Sequence, residues 1–226
     1  MGTYYNPICV LENLVSVWDA ANIKCFASGW TNGNTINDAL GRYPLTGTGI
    51  NLVTNSDPNL NYFKATGSCS YSTSGTGSTI FYNGITVDVW YRSNSTDTFS
   101  SYGRIFDRGD TSLTLGSTST YQFRSWVYAG GSRSSELQIN GIGQDGLWHN
   151  AQVTYDGTTA AKYLDGTLAT STAKTGTLET NATMTVCNGD GNIFYGDIGL
   201  IRVYNRGLTA TEVALNYNAL RERFKN

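Results

Sequence analysis

Apolar and polar residues alternate most cleanly over positions 147–166. Trp148, Ala151, Val153 and Tyr155 carry the apolar content of one strand, with His149, Asn150, Gln152 and Thr154 between them. Asp156-Gly157 then turns the chain, Ala161, Tyr163 and Leu164 run back, and Asp165-Gly166 opens a second turn. Asp-Gly suits such turns because glycine tolerates the positive φ they require. The same two-residue period sets Ile85, Val87, Val89 and Tyr91 against Thr86, Asp88, Trp90 and Arg92. It also sets Tyr121, Phe123, Ser125 and Val127 against Gln122, Arg124, Trp126 and Tyr128. Shorter strands are predicted over 13–22, 104–107, 112–115, 136–140 and 194–204, whereas the small polar residues of 67–78 read as an exposed loop.

Two stretches depart from this period. Residues 1–12 bring Tyr4, Tyr5, Pro7, Ile8, Val10 and Leu11 without helical spacing, and are expected to form an arm that docks on its own domain or on a neighbour. Near the C-terminus Thr209 and Glu212 form a capping box flanked by Leu208 and Val213, and Val213, Tyr217, Leu220 and Phe224 make one helical stripe. The expected fold is therefore all-β: a two-sheet antiparallel β-sandwich over 13–226 with a short C-terminal helix.

Composition agrees. With 226 residues, 39% hydrophobic content, 26 glycines and only 14% charged residues, the chain reads as many short strands joined by polar turns. A net charge of -2, without a Lys/Arg cluster, argues against nucleic acid. No apolar run approaches the about 18 residues of a membrane helix, and the opening lacks the pattern of a secretory signal. Cys9, Cys25, Cys69 and Cys187 form no CxxC pair and are expected to be free, mostly buried thiols.

Leu147-Trp148-His149, Val153-Thr154-Tyr155-Asp156-Gly157 and Tyr163-Leu164-Asp165-Gly166 together resemble the central hairpin of laminin G-like, concanavalin A-like domains. Asp19-Ala20-Ala21-Asn22, continued by Gly29-Trp30-Thr31, is similar to the opening of such domains in bacteriophage structural proteins, and 196–206 with the final helix resembles their closing strand and helix. Asn37-Asp38-Ala39-Leu40-Gly41 departs from the Ser-Gly-x-Gly run usual there. The resemblance implies the jelly-roll form of the sandwich and a non-enzymatic place on a virion surface, such as head decoration or fibre. Its expected partners are other virion proteins, through the arm and the C-terminal helix, in a homo-oligomer or on a larger particle, and host-surface glycans. A free-standing carbohydrate-binding lectin module is the alternative, and a glycoside hydrolase of the same fold the third reading.

Hydrolysis needs two facing carboxylates. The five glutamates, Glu12, Glu136, Glu179, Glu212 and Glu222, do not fall into the Glu-x-Asp-x-x-Glu arrangement of the fold's glycosidases, and the lone His149 sits where the resembled hairpin carries one. A glycan, in contrast, stacks C–H faces on aromatic rings and takes planar hydrogen bonds. Gln122, Arg124, Trp126 and Tyr128 offer both, with Asp88, Trp90 and Arg92 beside them. The competing reading puts Trp126 and Trp90 in the core with Ser125 outward, and alternation does not say which face is inside. No cofactor is required, but a structural calcium has oxygen ligands on offer in Asp107, Asp110, Asn188, Asp190 and Asn192, which simple Asx-Gly turns also explain.

Overall fold

The computed structural model describes residues 9–26, 29–74, 81, 83–97, 102–109, 111–116, 122–140, 144–178, 183–189 and 191–225. In chain order its strands are β1 (Leu14–Asp19), β2 (Leu45–Val53), β3 (Tyr62–Thr73), β4 (Ile85–Asn94), β5 (Tyr102–Asp107), β6 (Thr111–Gly116), β7 (Gln122–Ala129) and β8 (Ser132–Arg133). There follow β9 (Leu137–Ile139), β10 (Asp145–Tyr155), β11 (Thr159–Leu164), β12 (Thr167–Ala173), β13 (Thr185–Val186), β14 (Asn188–Gly189), β15 (Asn192–Ile193) and β16 (Gly196–Tyr204), then helix α1 (Ala210–Leu220). No helix among the described residues is long and apolar enough to cross a membrane.

Hydrogen bonding runs β12-β11-β10-β4-β16-β3-β13-β5-β6-β7-β8. This path folds on itself at β3, whose residues 63–65 pair with β16 while Tyr71 and Ser72 pair with β13. One layer is thus β12-β11-β10-β4-β16, with β1 on the far half of β16. The other is β13-β5-β6-β7, with β9 beside β7. Among the described residues, strand pairing is antiparallel apart from Ile193 against Arg104. The two layers meet through the odd-numbered residues of β4 and β7: Tyr91 stacks on Phe123 at 5.4 Å, and Val87, Val89, Val127, Ala151, Val153 and Tyr155 are buried around them. The expected sandwich and C-terminal helix are therefore both present.

Local sequence accounts for the sharpest features. Asp165 and Gly166 both take positive φ, 48° and 76°, the backbone of a two-residue turn between Leu164 and Thr167. Residues 67–73 correct the expected loop: they continue β3, because Cys69, Tyr71 and Thr73 bury every second side chain despite the small polar residues between them. The rest of that stretch, 75–78, lies outside the described residues. The departing loop near Asp38 is organised by that carboxylate, which accepts from the backbone N–H groups of Val17, Leu40, Arg42 and Tyr43 at 2.8–3.2 Å. All four cysteines are free, with Cys25, Cys69 and Cys187 buried; burial pushes the Cys25 thiol up to about 12.

The outer face of the β4-bearing layer is closed by α1. Thr209 and Glu212 form the reciprocal capping box, and Arg206 pairs with Glu212. That ion pair, with added hydrogen bonds from Thr209, holds the Glu212 carboxyl down at about 2. The helical stripe lands on this sheet: Val213 and Leu220 are buried, and Tyr217 and Phe224 stack over Trp90 at 5.6 and 4.5 Å. Phe224 needs the bare backbone of Gly199, where a Cβ would lie 2.2 Å from its ring. Beneath the helix, polar side chains of β4 and β10 pair with one another, although the Gln152 Oε1 stays without a partner among the described residues. Asp88 pairs with Arg202 at 2.6 Å and accepts from Asn150 at 2.7 Å, while Gln152 donates to Asn150 at 2.9 Å and to the Val213 carbonyl. Arg202 reaches the Asn216 carbonyl; Asn216 accepts from the Val10 N–H at 2.9 Å, and the Tyr204 hydroxyl donates to the Val10 carbonyl. The described end of the arm therefore docks on its own sheet, while residues 1–8 lie outside the described residues.

Removing one partner of a buried ion pair leaves the other charged and unsatisfied. Asp88→Ala is thus expected to cost about 3–5 kcal/mol, read as a lower midpoint in urea denaturation. Replacing the pair together by Asp88→Leu with Arg202→Met should recover most of that loss.

Candidate functional site

Even-numbered residues of β4 and β7 point away from the interlayer core, since their odd-numbered neighbours Tyr91 and Phe123 meet inside it. The residues expected to form one glycan patch are consequently split between opposite outer faces. Asp88 and Trp90 are buried beneath α1 and offer nothing to a ligand. Arg92 lies at the rim of that face, its guanidinium donating to Asp197 at 2.9 and 2.7 Å. Gln122, Arg124, Trp126 and Tyr128 line the outer face of the other layer and are each partly exposed. Ser125 is fully buried, so the arrangement with Trp126 in the core and Ser125 outward is not the one found.

This second face is the candidate site. Trp126 is bracketed by two guanidinium groups, Arg133 at 4.1 Å and Arg104 at 5.1 Å from the ring centroid, an arrangement favoured by the negative ring face. Arg124 donates to Gln122 at 2.8 Å and pairs with Glu136 at 3.1 Å; Arg133 pairs with the other Glu136 oxygen at 2.8 Å. Arg104 is held by Asp107, and the Tyr128 hydroxyl donates to the Gly131 carbonyl at 2.8 Å. The result is an aromatic platform among planar donors and acceptors, fixed in orientation by mutual ion pairs. Arg133 is half exposed, whereas Arg104 is mostly buried. Sequence patterning found the β7 residues because they share one strand. It missed Arg104, Arg133 and Glu136, which arrive from β5, β8 and the turn before β9 and carry no local signal.

Of the metal candidates, Asp110 and Asp190 lie outside the described residues. Asp107 does stand beside the β14–β15 turn: a Cβ on Gly189 would lie 2.4 Å from its Oδ2, and the Thr185 hydroxyl donates to both the Asp107 and Asn188 carbonyls. Yet the Arg104 guanidinium occupies the cation position at Asp107, whose Oδ1 accepts from the Gly109 N–H at 3.1 Å. Asn192 donates to the Gly189 carbonyl. Of the described side-chain oxygens in this set, the Asn188 Oδ1 is buried with no partner among the described residues. Calcium takes six to eight oxygens, more than the described members of this set supply by themselves. Among the described residues, no group of three or more His, Cys, Asp and Glu side chains is placed to hold a metal.

His149, expected to be a plain hairpin residue, is held at both ring nitrogens, by Asp165 at 2.8 Å and Asp145 at 3.0 Å. Burial works against its charge, but these two carboxylates outweigh it and raise its pKa above the ordinary value.

The family profile described as the concanavalin A-like lectin/glucanases superfamily matches residues 66–214. The chain belongs to that superfamily. Among curated proteins none matches it by sequence. Among solved structures it is similar to domain 4 of AbnA, a GH43 extracellular arabinanase from Geobacillus stearothermophilus, solved in complex with arabinotriose. There the identity is 16%, the TM-score 0.63, and 94% of this chain and 98% of that chain are covered. It is also similar to the binding domain of Paraclostridial Mosquitocidal Protein 1, at 15% identity and TM-score 0.66 over 92% of this chain and 52% of that one. A Trypanosoma rangeli sialidase matches at 12% identity and TM-score 0.64, over 96% of this chain and 34% of that one. The chain thus spans about half of the toxin binding domain and about a third of the sialidase, and these identities establish shared fold alone.

The His149 contacts generate a pH dependence with a definite sign. A group whose pKa is raised on folding adds stability that is complete below its unfolded value, about 6.5, and is lost as pH rises through the folded value. His149→Gln should therefore lower the thermal midpoint more at about pH 5.5 than at about pH 8, as read by circular dichroism melts.

Proposed function

We propose that this chain is a non-catalytic carbohydrate-binding module whose ligand lies across Trp126 on the outer face of β5–β6–β7. The observation that carries the reading is the outward row Gln122, Arg124, Trp126 and Tyr128, backed by Arg104, Arg133 and Glu136. A few oriented polar groups around an aromatic surface are what fixes a sugar's position. The similarity to an arabinanase domain solved with arabinotriose, nearly complete over both chains, supports the same class of ligand. The state of the carboxylates supports a binding role over hydrolysis. The two carboxylates beside Trp126, Asp107 and Glu136, are each paired with an arginine, whereas a glycosidase needs one carboxyl free to hold a proton and another to attack or to activate water.

We further propose that the module is displayed in several copies on a virion exterior. The opening segment's likeness to phage structural proteins supports this place, as do the large apolar side chains left exposed near it. Leu11 is 70% and Ile23 82% exposed, and Leu11 and Leu40 line a groove of about 360 Å³ with Cys9 and Leu14. Such a patch marks a surface for protein neighbours. The apolar stripe of α1 is already used on its own sheet, which leaves this groove and the arm as the contact surface. Leu11→Asp with Ile23→Asp should shift the sedimentation profile toward a single copy without lowering the melting temperature; an unchanged profile would count against assembly through this patch.

A glycan array followed by calorimetric titration tests the binding role. Trp126→Ala should weaken the best ligand about tenfold or more, with the melting temperature kept within a few degrees because the side chain is partly exposed. The site needs no metal, so chelator should change neither affinity nor melting temperature. A lower melting temperature after chelation would show that a bound metal stabilises the fold.

A further inference from the structure

A second, chemically distinct surface lies on the opposite side of the sandwich. Where α1 ends against β4 and β10, Tyr62, Trp148 and Phe224 wall a furrow of about 390 Å³, within the roughly 300–1,000 Å³ of small-ligand sites. Tyr62 and Trp148 meet edge to face at 6.0 Å, and Trp148 leans on Phe224 at 5.0 Å. The lining carries three cations, Arg92, Arg223 and Lys225, and no carboxylate, in a chain whose net charge is -2. Arg92 is balanced by the buried Asp197 and Arg223 by the largely buried Asp19, whereas Lys225 pairs at 3.5 Å with Glu222, an exposed acid outside the furrow lining.

The Arg92 guanidinium is the element aimed at a ligand. It is clamped over the rings of Tyr62 at 5.1 Å and Trp148 at 4.9 Å. Its Nε and Nη2 are committed to Asp197, which leaves Nη1 without a partner among the described residues. A guanidinium fixed this way has already lost its rotamer freedom, so an oxyanion docking on it meets little ordering cost. Lys225, three-quarters exposed and held only by a solvent-exposed pairing with Glu222 at 3.5 Å, lines the same furrow as a second charge. Asn55 uses its Nδ2 on the Leu60 carbonyl and keeps its Oδ1 for a hydroxyl donor. A neighbouring depression of about 320 Å³ shares Trp148, Phe224 and Lys225 but also carries Asp165 and Glu222, so a neutral ring of the same chain can cross the aromatic ridge while the acidic unit stays in the furrow.

We propose that this furrow binds a carboxylated sugar unit of an oligosaccharide: ring against Trp148 and Tyr62, carboxylate on Arg92 and Lys225. The choice of a sugar rests on the carbohydrate-binding reading above. The choice of an anion rests on the furrow alone.

The experiment titrates the full chain with a uronate trisaccharide and with sialyllactose, each against its carboxyl methyl ester, by calorimetry at low and high salt. The free acids should bind at least about tenfold more tightly than the esters, as charge-assisted hydrogen bonds to a guanidinium would require, and should weaken as salt rises. Lys225→Glu, at an exposed position that leaves the fold alone, should cost about tenfold for the acids and nothing for the esters. Trp148→Ala tests the wall, and Trp126→Ala should leave acid binding intact. Equal binding of acid and ester, or loss of acid binding in Trp126→Ala but not in Lys225→Glu, overturns the furrow proposal while leaving the Trp126 site standing. Neutral glycans that bind only through Trp126, with no acid bound at all, do the same. Failure of every neutral and acidic sugar to bind overturns both readings.

Discussion

The ion pair between Asp88 and Arg202 decides how the two faces of this sandwich are used. It lies with Asn150, Gln152 and Asn216 between the β4–β10–β16 sheet and α1, and each member hydrogen-bonds to another member or to the helix backbone. Such a network is costly if any member is missing, since an unpaired buried charge is worse than an apolar one. The helix must therefore sit where it completes the set, and Tyr217, Leu220 and Phe224 follow it down onto Trp90. One outer face is closed by this constraint. The other has no helix on it among the described residues and keeps its aromatic and arginine side chains toward solvent.

That asymmetry explains why similar strand patterns end in different roles. Trp90 and Trp126 each occupy an even position on a strand whose odd positions build the core. Trp90 is covered by two stacked rings, and Trp126 is bracketed by two guanidinium groups, one of them half exposed. The furrow beside Trp148 forms at the edge of the closed face, where the helix ends and its last aromatic residue leaves the wall incomplete. Positive charge collects there because the acids paired with the two arginines, Asp197 and Asp19, are largely buried and none lines the furrow.

Much of the fold was legible in the residues because its determinants are local. The Asp165-Gly166 turn, the Thr209–Glu212 cap and the hairpin that carries Trp148 each announce themselves within a few positions. Residues 67–73 were not legible as strand, since their composition resembles a loop and only the burial of Cys69, Tyr71 and Thr73 reveals the period. The candidate site was half legible for a similar reason. A period of two states that a strand has two faces, but not whether a helix arriving from more than a hundred residues away will cover one of them. Asp88 and Trp90 were misplaced on that account, and Arg104, Arg133 and Glu136 were missed because three separate segments bring them to Trp126.

The account is tested most directly by following the indole N–H resonances of the five tryptophans as the tightest array-selected glycan is added to isotopically labelled protein. The Trp126 indole should move progressively with ligand, while Trp18 and Trp90, both buried, stay in place. A Trp126 resonance that does not respond to a glycan the protein demonstrably binds, or a Trp90 resonance that responds first, would contradict the division into one closed and one open face.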